Sequence, residues 1–325
     1  MPHALFDRLP PPDELHEAPP APTVGALATG WVAMSAPAAR WCLHHLPPPL
    51  DRLAWRVLHR LHARHGVRLE ATATWGGRFR CDLRDLVDSR IYYAGVWEPS
   101  VTALLTQLLR PGDVFIDIGA NIGYDSVLAA RLVGPSGRVV AIEPSPSLLG
   151  RLREHLALND VRNARVLAAA VTAVPCDVAL YLGPPTNRAA TSIIPRSGHA
   201  LEATVPGRPL AVLVHPAELA RARVIKLDVE GAEAPILRQL LTLLPRLPRD
   251  VEIVAEVTPS RFPEFGEDAE TIFAAFRAAG FGWALLHNVY DASTLRAPEI
   301  HPPVPVSTVP DESCDLVLAR RFAPP

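Results

Sequence analysis

Three short stretches of the sequence gather residue types able to do chemistry, at spacings that fit together. Val114-Phe115-Ile116-Asp117-Ile118 reads as a buried strand and runs straight into Gly119-Ala120-Asn121-Ile122-Gly123. Gly119 and Gly123 remove side chains where a backbone must come close to a ligand, and the helix expected next offers free N–H groups to a carboxylate or phosphate. Arg138-Val139-Val140-Ala141-Ile142 ends on Glu143, a carboxylate able to accept hydrogen bonds from both hydroxyls of a ribose. Arg223-Val224-Ile225-Lys226-Leu227-Asp228 reads as another strand, whose alternation puts Lys226 and Asp228 on one face, with Glu230 and Glu233 just beyond its end.

A strand, a glycine turn, a helix and an acid closing the next strand serve two classes of cofactor. A nicotinamide dinucleotide requires G-x-G-x-x-G after the first strand, because its pyrophosphate lies against the helix start. The pattern here is D-x-G-x-N-x-G, and a carboxylate at Asp117 repels a pyrophosphate while it can orient an ammonium. S-adenosyl-methionine is therefore the expected cofactor, with Asp117, Gly119, Asn121, Gly123 and Glu143 as its expected contacts. A glycine turn in a ligand-free α/β domain is the plainer alternative.

Methyl transfer needs the acceptor atom held in line and any proton on it accepted, and positioning can supply about 7–11 kcal/mol of the barrier. Asp228, at the carboxyl end of the strand, and Glu230, just beyond it, are the candidate bases; Lys226 can pair with Asp228 or steady the acceptor atom. A buried structural ion pair is the alternative for Lys226, although it is the only lysine among 32 basic residues. Glu256 together with Asp228 offers hard oxygen ligands of the kind magnesium prefers, but no metal site is assigned. Asn187 and Thr191-Ser192 lie in a long connection placed to cover the site as a lid or substrate loop, or to be solvated without a role.

Strands are expected at 113–118, 138–143, 165–171, 223–228, 251–257, 282–288 and 314–320, with helices at 123–132, 146–158, 232–243 and 268–279. Such alternation predicts a Rossmann-like α/β fold: a seven-stranded, mostly parallel sheet with helices on both faces and an antiparallel last strand. Residues 99–325 form the expected catalytic domain. Residues 49–98 read as an N-terminal helix, over Leu50–His65, and a small β-cap of strands 67–72 and 78–83 around Gly76-Gly77. The prolines of residues 1–48 predict a mostly irregular lead-in. The basic helix can dock on an acidic partner or simply pack with a solvated face, and His59, His62 and His65 on it lack the Cys or acid that would complete a metal set.

The formal charge of -2, from 32 basic and 34 acidic residues, supplies no global field for nucleic acid or an anionic membrane, so a small-molecule partner is expected. Cys42, Cys81, Cys176 and Cys314 lie too far apart to suggest zinc or a disulfide framework, which fits a reducing, cytoplasmic setting. No stretch reaches about 18 apolar residues, and the N-terminus lacks the basic start of a signal peptide.

Phe115 to Gly123, Ala141-Ile142-Glu143-Pro144-Ser145-Pro146 and Ile225-Lys226-Leu227-Asp228-Val229-Glu230-Gly231-Ala232-Glu233 together resemble the FkbM methyltransferases, in the same order along the chain. The likeness extends from Tyr92-Tyr93-Ala94-Gly95-Val96-Trp97-Glu98-Pro99 to the last strand. It implies S-adenosyl-methionine-dependent transfer to a hydroxyl oxygen, with sugars and polyketide-type natural products among the acceptors. Leu227, where isoleucine is common, and the loose Ala189-Ala190-Thr191-Ser192 stretch depart from the pattern, and the first fifty residues have no counterpart. A non-catalytic α/β binding module and a methyltransferase acting on nitrogen are the rival readings. The second is disfavoured because Asp228-Val229-Glu230-Gly231 lacks the N/D-P-P-Y type of stretch.

Overall fold

A computed structural model describes residues 26–47, 50, 53, 56–57, 60, 62, 68–290 and 292–323. Its centre is an eight-stranded sheet built from β3 (Val114–Ile118), β4 (Arg138–Ile142), β5 (Ala164–Leu167), β9 (Ala222–Leu227), β10 (Glu252–Val257), β11 (Gly282–Leu286), β12 (Val304–Val306) and β13 (Cys314–Ala319), in the order β12-β11-β13-β10-β9-β3-β4-β5. From β10 to β5 the strands run parallel; β13 enters antiparallel between β10 and β11. The seven expected strands are all present, and the expected antiparallel end is the β11–β13 pair. The added edge strand β12 is three residues long, below the length at which alternation can be read.

The remaining strands lie apart from this sheet. β1 (Arg68–Thr72) and β2 (Arg78–Asp82) form the expected antiparallel cap. β6 (Ala170–Val171), β7 (Cys176–Leu182) and β8 (Ala200–Arg208) form a three-stranded sheet in the region expected to be a long loop. Pro and Gly hid it: β8 itself ends Val205-Pro206-Gly207-Arg208, although Gly207 there pairs with Ala170 of β6 on one side and Cys176 of β7 on the other. The single strand expected over 165–171 is split between β5 and β6 for the same reason, the chain leaving one sheet for another.

Strand alternation decides which residues meet which helices. Phe115, Val139, Val224, Val254 and Val317 face one side, under α2 (Leu86–Ala94), α3 (Pro99–Leu108), α4 (Tyr124–Val133) and α5 (Pro146–Leu158). Ile116, Ile142, Leu227, Ile253 and Leu316 face the other, under α6 (Ala234–Leu243) and α7 (Ala269–Ala278). The first apolar cluster also takes in Phe79, Cys81, Ile91 and Tyr93, so the cap is packed on the sheet's helical cover.

Part of the expected irregular lead-in is helical: α1 covers Ala26–His45. The prolines that argued against helix fall mostly outside it, and between Pro22 and Pro47 only Pro37 interrupts a run of good helix formers. The rest of that lead-in that precedes residue 26, and most of the basic helix expected over Leu50–His65, lie outside the described residues. His62 is described and fully buried, its ring nitrogens 2.8 Å from Ser35 Oγ and 2.7 Å from Tyr93 Oη, so packing and hydrogen bonds account for it without a metal. No described helix is long and apolar enough to cross a membrane.

Candidate active site

The carboxyl ends of β3, β4 and β9 meet beneath the small three-stranded sheet and line a cleft. Gly119, at the end of β3, has φ +85°, and a Cβ there would overlap the carbonyl oxygen of Asp228 at the end of β9. Glycine is thus required by the close approach of two strand ends, which are also joined by Asp228 N–H donating to the Ile118 carbonyl at 2.9 Å. Gly123, at φ +87°, begins α4, and a Cβ would run into Leu152 of α5. Its reason is helix packing; it does not line the cleft, contrary to the ligand-approach argument made for it from sequence.

Glu143 is buried at the tip of β4, where its Oε2 accepts from Asn121 N–H at 2.7 Å and its Oε1 from Ser145 N–H at 2.8 Å. The carboxylate is therefore aimed by backbone donors, while each oxygen keeps a second acceptor position toward the cleft. Burial, only partly offset by those two bonds, pushes its carboxyl up to about 7. Apolar walls from Leu148, Val171, Leu180 and Ile193 face it across the cleft. Thr191 and Ser192 line the same space, and the stretch before them is tied down, since Asp85 Oδ2 accepts from Arg188 N–H and Leu86 N–H donates to Thr186 O. Asn187 starts the 3-10 turn there and is not in the lining.

Of the other sequence-derived candidates, Gly119, Asn121, Asp228 and Glu230 line the cleft, whereas Asp117 and Lys226 lie beneath it. Asp117 is buried, with Oδ2 accepting from Ser126 Oγ at 2.6 Å and Oδ1 meeting no partner among the described residues. Lys226 Nζ donates to Asp228 Oδ2 at 2.8 Å and stands 3.4 Å from Asp125 Oδ2. Burial opposes its charge, but Asp228, Asp125, Glu98 and Asp117 surround it and hold its pKa well above the usual lysine value. One ammonium cannot neutralise that many acids, so Glu98, Asp117 and Asp125 are all shifted upward, burial being the largest cause for each. Glu230 takes the left-handed conformation at φ +58°, with Arg196 Nη1 3.5 Å from its Oε2. Burial and the nearby Asp228 push its carboxyl up to about 7.

Several contributors were missed from sequence. Asp125 carried a faint signal, an acid in the first turn of the helix after the glycine loop. Glu98, whose Oε1 accepts from Tyr290 Oη at 2.9 Å, and Asp315, held by Asn288 Nδ2 at 3.0 Å, carried none, because their partners are distant along the chain. No group of three or more His, Cys, Asp or Glu side chains among the described residues is arranged to hold a metal ion.

S-adenosyl-methionine carries a vicinal diol, a flat adenine and a methionine ammonium, and the residues present fit that donor set. A backbone-aimed buried carboxylate faces an apolar-walled cleft, and beneath it Asp117 Oδ1 and Asp125 Oδ1 are buried acceptors with no partner among the described residues. The fold is similar to that of a precorrin-6y C5,15-methyltransferase from Geobacter metallireducens (17% identity, 67% of this chain and 86% of that one, TM-score 0.38). It is similar to the same extent to an S-adenosyl-methionine-dependent O-methyltransferase from Thermotoga maritima (12% identity, 77% and 76%, TM-score 0.38). Among curated proteins, an arsenite methyltransferase of Halobacterium salinarum is 32% identical over 82 residues, 25% of this chain and 20% of that protein. A protein-L-isoaspartate O-methyltransferase of Aeropyrum pernix is 47% identical over 60 residues, 18% of this chain and 23% of that protein. The chain thus spans only between a fifth and a quarter of these curated relatives. The FkbM methyltransferase domain matches residues 117–282, just over half of the chain and the whole of the cleft described above. The chain belongs to the FkbM methyltransferase family, and S-adenosyl-methionine is its cofactor.

Proposed function

We propose that the chain is an O-methyltransferase acting on a hydroxyl of a small polar molecule, of the sugar or polyketide type. The observation that carries this reading is the carboxylate-rich floor where the acceptor must meet the cofactor: Asp228 and Glu230 line the cleft, with Glu256 beside Asp228 on the next strand. An amine brought among these acids stays protonated and loses its nucleophilic lone pair, whereas a hydroxyl finds acceptors for its proton. A phosphate backbone is repelled by the same charges, which argues against nucleic acid. S-adenosyl-methionine supplies an electrophilic methyl group on a sulfonium.

In this reading Glu143 holds the ribose, Gly119 and Asn121 shape the loop against the cofactor, Gly123 seats the helix behind that loop, and Asp117 orients the methionine end. Lys226 holds the Asp228 side chain in place, so that Asp228 and Glu230 position the acceptor oxygen. The test begins with calorimetric titration of S-adenosyl-homocysteine into the wild type and Glu143→Ala. Micromolar binding, weakened at least tenfold in the variant, is expected. Labelled methyl transfer is then measured on methyl hexosides, 6-deoxyhexoses, macrolactones, their amino counterparts and RNA. Label appearing on amines or RNA, and not on hydroxyls, would sink the proposal.

A further inference from the structure

A second cleft opens at the ends of β10 and β11 and the start of β13, next to the cofactor cleft. Its polar lining includes Glu256, Asn288, Tyr290, Ser313 and Asp315, with Leu285 and Pro310 on its wall and rim. The two clefts adjoin through a pair of neighbouring residues. Leu227 of β9 pairs with Ala255 of β10, so the next residues, Asp228 and Glu256, stand side by side at the strand ends, one lining each cleft. Both lie on the sheet face that carries Val224 and Val254.

Each acid near this junction has a different companion. Asp228 is held by Lys226, and Glu230 by Arg196. Glu256 has the Ser313 hydroxyl, donating to its Oε1 at 3.0 Å, and no cation pairs with it among the described residues. A carboxylate held against a cation is a weaker proton acceptor than the same carboxylate without one, although Glu230, with Arg196 standing off at 3.5 Å, is still raised to about 7. Glu256 is left as the acid free to take a proton at the place where the two clefts meet.

We propose that the second cleft receives the acceptor molecule, an uncharged hydroxylated compound without phosphate, and that Glu256 is the catalytic residue that accepts its proton. This rests on the O-methyltransferase reading above. The acceptor's O–H bond breaks with its proton passing to Glu256 as the oxygen bonds the methyl carbon; the sulfur–methyl bond breaks, its electron pair leaving a neutral thioether and a neutral carboxylic acid. The groups facing Glu256 suit that step. Asp228 and Glu230 at the end of β9, Asp315 and Cys314 on β13 and Tyr290 beyond β11 surround it, and His287 and Glu312 line the same cleft. Repulsion from Asp228, then burial, then Glu230 and Asp315, push its carboxyl up to about 8, in the range where a base both ionises and holds a proton well. The same negative lining disfavours a phosphorylated acceptor.

Three variants test this. In Glu256→Gln, calorimetric affinity for S-adenosyl-homocysteine stays within threefold of wild type, while kcat on the hexoside methylated by the wild type falls about 10²–10⁴-fold. The wild-type rate rises with pH up to about 8, and the variant loses that rise. Carbon-13 NMR of labelled glutamate in the ligand-free protein shows a carboxyl titrating near pH 8 that is missing in Glu256→Gln and moves down in Asp228→Asn. Pro310→Trp, at the exposed rim, raises the acceptor KM at least tenfold and leaves S-adenosyl-homocysteine affinity unchanged. A Glu256→Gln enzyme with near-normal kcat and an unaltered pH profile overturns the proton-acceptor role. An unchanged KM in Pro310→Trp overturns the placement of the acceptor. A wild type that binds S-adenosyl-homocysteine yet methylates only amines overturns the O-transfer reading itself, a result distinct from either.

Discussion

Lys226 shows how residue type and surroundings jointly set a role. The alternation that puts it on the face of Asp228 was readable, but Asp125, its second partner at 3.4 Å, arrives from a helix a hundred residues earlier. Lys226→Met leaves the buried Asp125 and the half-buried Asp228 without this cation, and removing one member of a buried pair typically costs about 3–5 kcal/mol. Denaturant unfolding near pH 8 is expected to show a loss of that order, shrinking toward pH 5 as the abandoned acids take up protons. A loss below about 1 kcal/mol at pH 8 would mean that solvent already screens the pair. Glu143 was legible for a simpler reason: a polar residue ending an apolar strand has to face the sheet's carboxyl edge. Glu256 was read only as a possible metal ligand, since its neighbours Asp228 and Asp315 come together through strand pairing rather than spacing.

At the scale of elements, the joints are where single changes matter most. Gly119→Ala forces a Cβ into the Asp228 carbonyl at a positive φ and cannot be relieved by a side-chain rotation. We expect a loss of about 4 kcal/mol or more, or no soluble folded protein, in thermal and urea unfolding. An Ala variant within 1 kcal/mol of wild type would show that the two strand ends can separate. The cap is fixed to α5 by another joint: Asp88 of α2 receives Arg151 Nη1 and Nη2 at 2.7 and 2.9 Å, and Arg151 also donates to the Arg80 carbonyl of β2. Asp88→Ala leaves a buried guanidinium unpaired, so a cost of about 3–5 kcal/mol is expected by urea unfolding. If cofactor affinity falls along with stability, the cap also braces the cleft.

The whole molecule concentrates raised carboxyls at one edge of the sheet, which ties its stability to pH. Glu143, Glu230 and Glu233 are pushed up to about 7 and Glu256 to about 8, from an ordinary 4.5. Between those values the folded state holds more protons than the unfolded chain, so these groups stabilise below about pH 4.5 and that contribution is lost as pH rises toward 8. Calorimetry of the ligand-free protein is expected to show a midpoint falling from pH 5 to pH 8 and levelling above it, with a shallower fall in Glu256→Gln. A midpoint that rises across the same range would contradict the assigned direction. The sequence by itself determined the parallel strands, their helices, the glycine loop and the acid that faces a ribose, because burial periodicity, turn chemistry and strand ends are local properties. Tertiary structure alone decided that β13 slots between β10 and β11, that residues 170–208 fold into a second sheet over the cleft, and that acids from four separate segments share one lysine. Those outcomes depend on which strands pair and which faces meet, and pairing over such long sequence separations leaves no local trace.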